Sequence, residues 1–174
     1  LIIGSLSRAS INRTVAQHLA AQAPEGVVVE EVQIGDLPLY TQDLDSESIP
    51  AYERVRAQLQ AADAVLIVSP EHNRSMPAAV KNLLDIASRP AGKSLWGGKK
   101  TAVITASPGS YGGINSGLHI RQSLQAMSAD VMIAPEVFLS RAHTALADGQ
   151  VSDARTAAFL NKFAAAFYGW AQAE

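Results

Sequence analysis

The chain has 174 residues and a formal net charge of -2, with 48% hydrophobic, 17% charged and 6% aromatic residues. That length suffices for one compact core, and the near-neutral charge, with Lys99-Lys100 as the longest basic run, excludes the basic stripe of a nucleic-acid binder. The absence of cysteine excludes disulfides, zinc-thiolate centres, cysteine nucleophiles and thiol redox pairs, so any electron transfer must use a bound cofactor.

Leu1-Ile2-Ile3 reads as a strand that starts inside an apolar run, with native residues expected ahead of it. Ile11 to Ala23 reads as a helix, because Val15, Leu19 and Ala20 with Ala16 and Ala23 make an apolar stripe. Pro24 and Gly26 stop it. Val27 to Ile34 reads as a second strand, with Val28, Val32 and Ile34 at alternating positions, and the polar Gly35 to Pro50 stretch as a loop. Ala51 to Ala62 is helical in pattern, with Tyr52, Val55, Leu59 and Ala62 on one face.

Ala64 to Val68 is the near-continuous apolar run of a parallel strand buried on both faces. Pro77 suits the first turn of a helix that runs to Ser88, with Val80, Leu83, Leu84 and Ala87 inward. Thr101 to Thr105 is the fourth strand, Asn115 to Ala129 a helix, Val131 to Ile133 the fifth strand and Phe138 to Val151 a loop. In the closing helix, Ser152 to Ala173, the stripe Phe159, Phe163, Phe167 and Trp170 reads as core packing.

This alternation specifies an α/β architecture, a doubly wound five-stranded parallel sheet between two helical layers. With no repeats, low-complexity tracts or linkers, one domain is expected over residues 1–174. No apolar run is long enough to span a bilayer and no charged-then-apolar leader precedes the first strand, so a cytoplasmic location is expected.

In such folds ligands bind outside the carboxyl ends of the strands. Three loops there have unusual compositions. In Gly4 to Arg13, Ser5, Ser7, Ser10, Asn12, Arg8 and Arg13 make six polar or basic residues in ten at the start of a helix. Such a set suits a phosphate dianion. A plain helix cap needs only one such residue, Ser10 or Asn12. The spacing is neither a Walker A loop nor G-x-G-x-x-G. Ser69 to Pro77, with Pro70, Glu71, His72, Asn73, Arg74 and Ser75, is either a rigid border for a planar polar ring or an ordinary strand-to-helix turn. Ser107 to Gly113 carries Gly109, Gly112 and Gly113, which serve close approach of a ligand or a tight turn equally well, and Tyr111, which can stack on a ring or cover the loop.

Taken together, these loops resemble the NADPH-dependent FMN reductase family, which includes flavin, quinone and chromate reductases and small azoreductases. The matching residues are Gly4-Ser5 through Ser10 and Asn12, Ser69-Pro70-Glu71 with Asn73 and Ser75, Lys81-Asn82 with Asp85, Ser88-Arg89-Pro90, Ser107 to Gly113 and His119 to Leu124. The closing helix matches in structural type only.

The resemblance implies a flavodoxin-like fold with strand order 2-1-3-4-5, FMN as cofactor and NADPH or NADH as donor. It implies that Ser5, Arg8, Ser10, Ile11 and Asn12 hold the FMN phosphate. Pro70, Glu71, His72, Asn73, Arg74 and Ser75 would border the isoalloxazine on one side, with Ser107, Gly109, Tyr111, Gly112 and Gly113 on the other. As substrate-binding residues, Arg74 could pair with a nicotinamide phosphate or an anionic acceptor, against a solvated surface arginine; His72 could donate a hydrogen bond near the flavin or acceptor, against an exposed loop histidine; and Tyr111 could stack on a ring. The resemblance further implies a homodimer or homotetramer with the flavin near the interface. The chain departs from the family where it has His72 and Arg74 in place of common aromatics, Arg8 one place late, and Asn115 and Leu118 in place of Arg and Tyr.

The expected activity is hydride transfer from NAD(P)H through FMN to a small acceptor in ping-pong sequence. Quinone, free flavin, chromate, ferric complex and azo compound are all open. No side chain is assigned as an acid or base. A flavodoxin-type electron carrier or an FMN-based redox sensor is the alternative; carriers are usually strongly acidic, which a charge of -2 does not match. A receiver domain would need acidic residues where Gly4-Ser5 stands, a tyrosine phosphatase a cysteine, and a serine hydrolase a G-x-S-x-G elbow. None is present.

Overall fold

The structure is a computed structural model that describes residues 1–173. Its sheet is parallel throughout: β1 (Ile2–Ile3), β2 (Ala64–Ser69), β3 (Lys100–Ala106), β4 (Asp130–Val131) and β5 (Val137–Leu139). β2 pairs with β1 on one side and along its whole length with β3 on the other. β4 and β5 share the far edge of β3, beside Lys100–Thr101 and Ile104–Ala106 respectively. The helices are α1 (Ile11–Ala20), α2 (Pro50–Ala61), α3 (Ala78–Ser88), α4 (Ile114–Ala126) and α5 (Ala154–Gln172). A small antiparallel hairpin, β6 (Leu146–Ala147) and β7 (Gln150–Val151), packs beside α1.

The period-2 alternation of β2 and β3 divides the core into two layers. Val65, Ile67 and Val103 point to one face, under Val55 and Leu59 of α2, Leu83 and Leu84 of α3, and Ile120 and Leu124 of α4. Leu66, Val68, Ala102 and Ile104 point to the other, under Val15 and Leu19 of α1 and Leu160, Phe163 and Phe167 of α5. Residues buried from both sides cannot bear a polar side chain without a partner. That is why these strands read as unbroken apolar runs. Two polar groups buried in the layers find carbonyl partners: Trp96 Nε1 donates to Leu84 O at 3.1 Å, and Tyr168 Oη donates to Leu19 O at 3.0 Å.

The structure differs from the sequence reading in four places. The Val27–Ile34 segment meets β1 through a single parallel bridge, Ile2 with Val32, and Val28 is 90% exposed. Its position beside β1 preserves the expected order across the sheet. The fifth strand is split into β4 and β5. Met132 N still donates to Thr101 O of β3 at 3.0 Å, but its carbonyl accepts a 2.7 Å bond from the buried Arg121 guanidinium, and Pro135 offers no N–H. The Phe138–Val151 stretch read as loop therefore contains most of β5 and the β6–β7 hairpin. In the aromatic stripe, Phe163 and Phe167 are buried and stacked, 6.4 Å between centroids, but Phe159 is 42% exposed. Among the described residues, no helix is long and apolar enough to cross a membrane.

Arg13 and Glu31 form a bidentate pair, at 2.8 and 2.9 Å, that ties α1 to the strand-like segment. The guanidinium holds the Glu31 carboxyl below its usual range. A lowered folded pKa means that the pair stabilises at neutral pH and that this contribution is lost as pH falls through the folded value. Glu31→Gln should therefore cost about 0.5 kcal/mol at neutral pH, because both side chains are partly exposed. The difference from wild type should shrink as pH drops below about 4.3. Urea unfolding at a series of pH values checks it; a difference that persists undiminished in acid contradicts this account.

Candidate active site

Because β1, β2 and β3 run parallel, their carboxyl ends meet on one edge, and the three loops that follow them lie together there. In the first loop Ser10 is the N-cap of α1, its Oγ accepting from Arg13 N at 3.1 Å. The half-buried Ser5 accepts from Ser7 N at 3.4 Å. Ile11 and Asn12 open the helix, so their N–H groups have no intrahelical acceptor, and the first turn carries no acid. Asn12 is only 3% exposed; its Nδ2 donates to Ala106 O at 3.1 Å, while its Oδ1 has no hydrogen-bond partner. Arg8 is exposed and pairs with no carboxylate among the described residues. Arg13, read from the sequence as a second cation for an anion, is instead taken by Glu31.

In the second loop, His72 to Ser75 form a tight turn closed by two backbone bonds of 2.9 Å. Its central residues Asn73 (φ 49°) and Arg74 (φ 67°) both adopt the left-handed conformation that such hairpin-like turns require. Asn accepts this readily; Arg does not. Neighbouring elements hold the turn. Ser75 Oγ meets His119 Nδ1 of α4 at 3.0 Å, and the Arg74 guanidinium lies 4.7 Å from the centre of the Tyr111 ring. Ahead of the turn, the Glu71 carboxylate accepts from Asn115 N at 2.9 Å and Ser116 N at 3.2 Å, and Ser116 Oγ donates to Pro70 O at 2.8 Å.

The third loop is drawn inward by Thr105 Oγ1, which donates to Gly112 O at 2.7 Å, and by Ser107 Oγ, which accepts from Gly109 N at 3.1 Å. Gly112 (φ 64°) has no room for a side chain: a Cβ there would stand 2.5 Å from Phe138 O. Gly113 (φ 79°) begins α4 with no side-chain cap of its own. The two glycines thus serve the packing of the chain on itself. Gly109 borders open space, its nearest neighbour being Ser107 Oγ, and Tyr111 is 64% exposed.

All the residues read from the sequence as a site therefore fall on these three loops and the start of α1; hydrogen bonds tie the second loop to α4 and α1 to the end of β3, and Arg74 over Tyr111 links the second loop to the third. Sequence reasoning missed what joins them. Glu71, read as a ring-bordering residue, spends its carboxylate on the start of α4. His119, read as packing or interface, fixes Ser75. A signal for the first was present: a helix that begins after Gly112-Gly113, without Ser, Thr, Asp or Asn as cap, must find its acceptor elsewhere in the fold.

A cavity of about 340 Å³ lies beside the first loop, lined by Ser5, Leu6, Arg13, Glu31 and Ile34. One of about 650 Å³ opens at the opposite, amino ends of the strands, between Val29, Ala64 and Phe167, and takes no part in the loop site. Groups of acidic and histidine side chains able to hold a metal are absent among the described residues.

The family model for NADPH-dependent FMN reductase matches residues 1–144. The chain belongs to that family. It is 42% identical to a quinone reductase of Pseudomonas putida over 98% of this chain and 92% of the relative. It is 38% identical to a 2-hydroxy-1,4-benzoquinone reductase of a Burkholderia species over 98% and 93%. Among solved structures, the flavoenzyme NAD(P)H:(acceptor) oxidoreductase of Paracoccus denitrificans superposes with a TM-score of 0.90 at 35% identity, covering 98% of this chain and 94% of that one. This reductase is accordingly a flavodoxin-like FMN- and NAD(P)H-dependent oxidoreductase.

The Glu71 carboxylate works here as a helix cap supplied from another loop, with a negative charge on the positive end of α4. Glu71→Ala should cost about 1–2 kcal/mol, a fall in Tm of roughly 2–4 °C per kcal/mol for a chain of this length. Glu71→Gln, which keeps one acceptor oxygen, should cost less. Scanning calorimetry checks the ranking, and equal losses in the two variants would contradict it.

Proposed function

We propose that the three-loop edge holds FMN and that this protein reduces quinones with NAD(P)H, donor and acceptor using the same open mouth in turn. The observation that carries the reading is the unpaired donor set at the start of α1. Ile11 and Asn12 present free first-turn N–H groups, no acid stands in that turn, and Arg8 has no carboxylate partner among the described residues. Such a set fits a phosphate dianion. The buried, unpartnered Oδ1 of Asn12 fits a ligand hydroxyl beside it. Ser5 and Ser10 complete the phosphate end. Pro70 to Ser75 border the ring on one side, and Ser107, Gly109, Tyr111, Gly112 and Gly113 on the other.

When bound, FMN supplies the two-electron chemistry, accepting hydride from the nicotinamide and passing electrons to the acceptor. The chain's own contribution is placement. Glu71 and His119 fix the ring-side loop against α4, Ser10 fixes the start of α1, and Asn12 ties α1 to the end of β3. No acid or base side chain is assigned, because hydride transfer needs stacking and orientation rather than proton movement. Quinone is preferred among the acceptors because relatives at 42% and 38% identity carry quinone reductase names. Self-association near the mouth is part of the same proposal: Leu6, Tyr111, Ile114 and Leu118 are large apolar groups exposed on or beside these loops.

Purified protein loaded with FMN and freed of excess should show a bound-flavin absorbance spectrum that bleaches anaerobically with NADPH or NADH and recovers on adding quinone. Initial rates should give parallel double-reciprocal lines. Arg8→Ala should weaken FMN binding by about tenfold at low salt, and by less at high salt, because an exposed cation is screened. Retained flavin that does not bleach would favour the electron-carrier or sensor reading, and failure to retain FMN would end the proposal.

A further inference from the structure

We propose that Arg74, laid on the Tyr111 ring, is a specificity residue that selects planar acceptors bearing a negative charge; the inference rests on the acceptor mouth proposed above. The guanidinium carbon lies over the ring, 4.7 Å from the centroid. A cation–π contact is electrostatic and consumes none of the guanidinium's N–H donors. Neither a carboxylate nor a carbonyl takes the N–H groups of Arg74 among the described residues. The one carboxylate on the same loop, Glu71, is spent on the N–H groups of Asn115 and Ser116 and does not neutralise it.

The backbone is committed to this placement. Arg74 is held at φ 67°, unfavourable for a long side chain, in a turn pinned by its own backbone bonds and by Ser75 on His119. The arrangement spans the mouth, since Arg74 stands on the loop after β2 and Tyr111 on the loop after β3. A guanidinium held over a ring with its N–H donors unpaired matches an oxyanion: a carboxylate, a sulfonate or the enolate of an acidic quinone. Tyr111 is a positioning residue that acts through Arg74.

The test uses the FMN-loaded protein and two quinones that differ in charge, 1,4-naphthoquinone and 1,4-naphthoquinone-2-sulfonate. A redox-inert anion, naphthalene-2-sulfonate, is titrated by calorimetry. Arg74→Asn removes the cation and suits the left-handed turn position, so the turn is retained. In that variant the ratio of KM for the sulfonated quinone to KM for the neutral one should rise about 5- to 10-fold, and the inert sulfonate should bind about 5- to 10-fold more weakly. Arg74→Lys should restore only part of the ratio, Tyr111→Phe should keep it, and Tyr111→Leu should shift it partway with no further effect on top of Arg74→Asn. The wild-type discrimination should fall between about 0.05 and about 0.5 M salt.

Equal shifts for both quinones, unchanged binding of the inert sulfonate, or a rise confined to KM for NADPH would each overturn the proposal, the last assigning Arg74 to the donor's phosphate. If the wild type reduces neither quinone, the NAD(P)H–quinone reading fails, and the calorimetric arm still decides Arg74.

Discussion

The parallel register of β2 on β3, six residue pairs from Ala64–Lys100 to Ser69–Thr105, is the constraint on which the rest of this structure depends. Two strands paired in parallel end on the same edge, and every connection between them must cross a face of the sheet. The helices α1, α3 and α4 therefore all start from that edge, with their N–H ends directed towards it. The edge gathers polar loops and helix N-termini, while the apolar alternation of the strands is consumed by the two layers beneath and above. Chemistry and stability are thus separated along the strand direction, so a loop residue can change without disturbing Ile67 or Val103.

That separation leaves the loops to secure themselves, and they do it by exchange. Loop two caps the helix that follows loop three through Glu71, and α4 returns the contact through Ser116 to Pro70 and His119 to Ser75. Asn12 reaches from α1 to Ala106 at the root of loop three. Each of these bonds closes a long sequence separation, so the order of the edge is a property of the folded sheet and not of any loop alone. A site built this way is preorganised: the groups that would meet a ligand are held by groups that do not.

What was legible in the sequence follows the same division. β2, β3 and the inner faces of α3 and α4 could be read because burial on both sides leaves an unambiguous apolar record. The Val27–Ile34 segment carried the same alternation, yet only Val32 found a strand partner and Val28 faces water; alternation records which residues are able to pair and not whether a partner is in reach. The fifth strand was misplaced because its break is made by Arg121, a charged residue in a helix whose buried partner is the carbonyl of Met132. Arg13 looked like an anion-binding cation because its real partner, Glu31, lies 18 residues away. The positions of the site residues were legible as loop composition. Their partners were not, since each bond between loops joins residues with no local relation.

Arg74 shows how far a single departure reaches in such a frame. An aromatic side chain at this position would lend the mouth a second apolar plane, and the acceptor would then be chosen by stacking, which is tolerant of charge. An arginine there converts the plane into a cation, and an isolated exposed cation would be too mobile and too well solvated to discriminate. The ring of Tyr111 removes that difficulty by holding the guanidinium over its face, and the left-handed turn fixes it through the backbone. The conformational cost at φ 67° falls on a loop already anchored by Glu71 and His119, so the sheet and its helices bear none of it. The selectivity proposed for this reductase therefore rests on a turn in which the backbone accepts an unfavourable conformation.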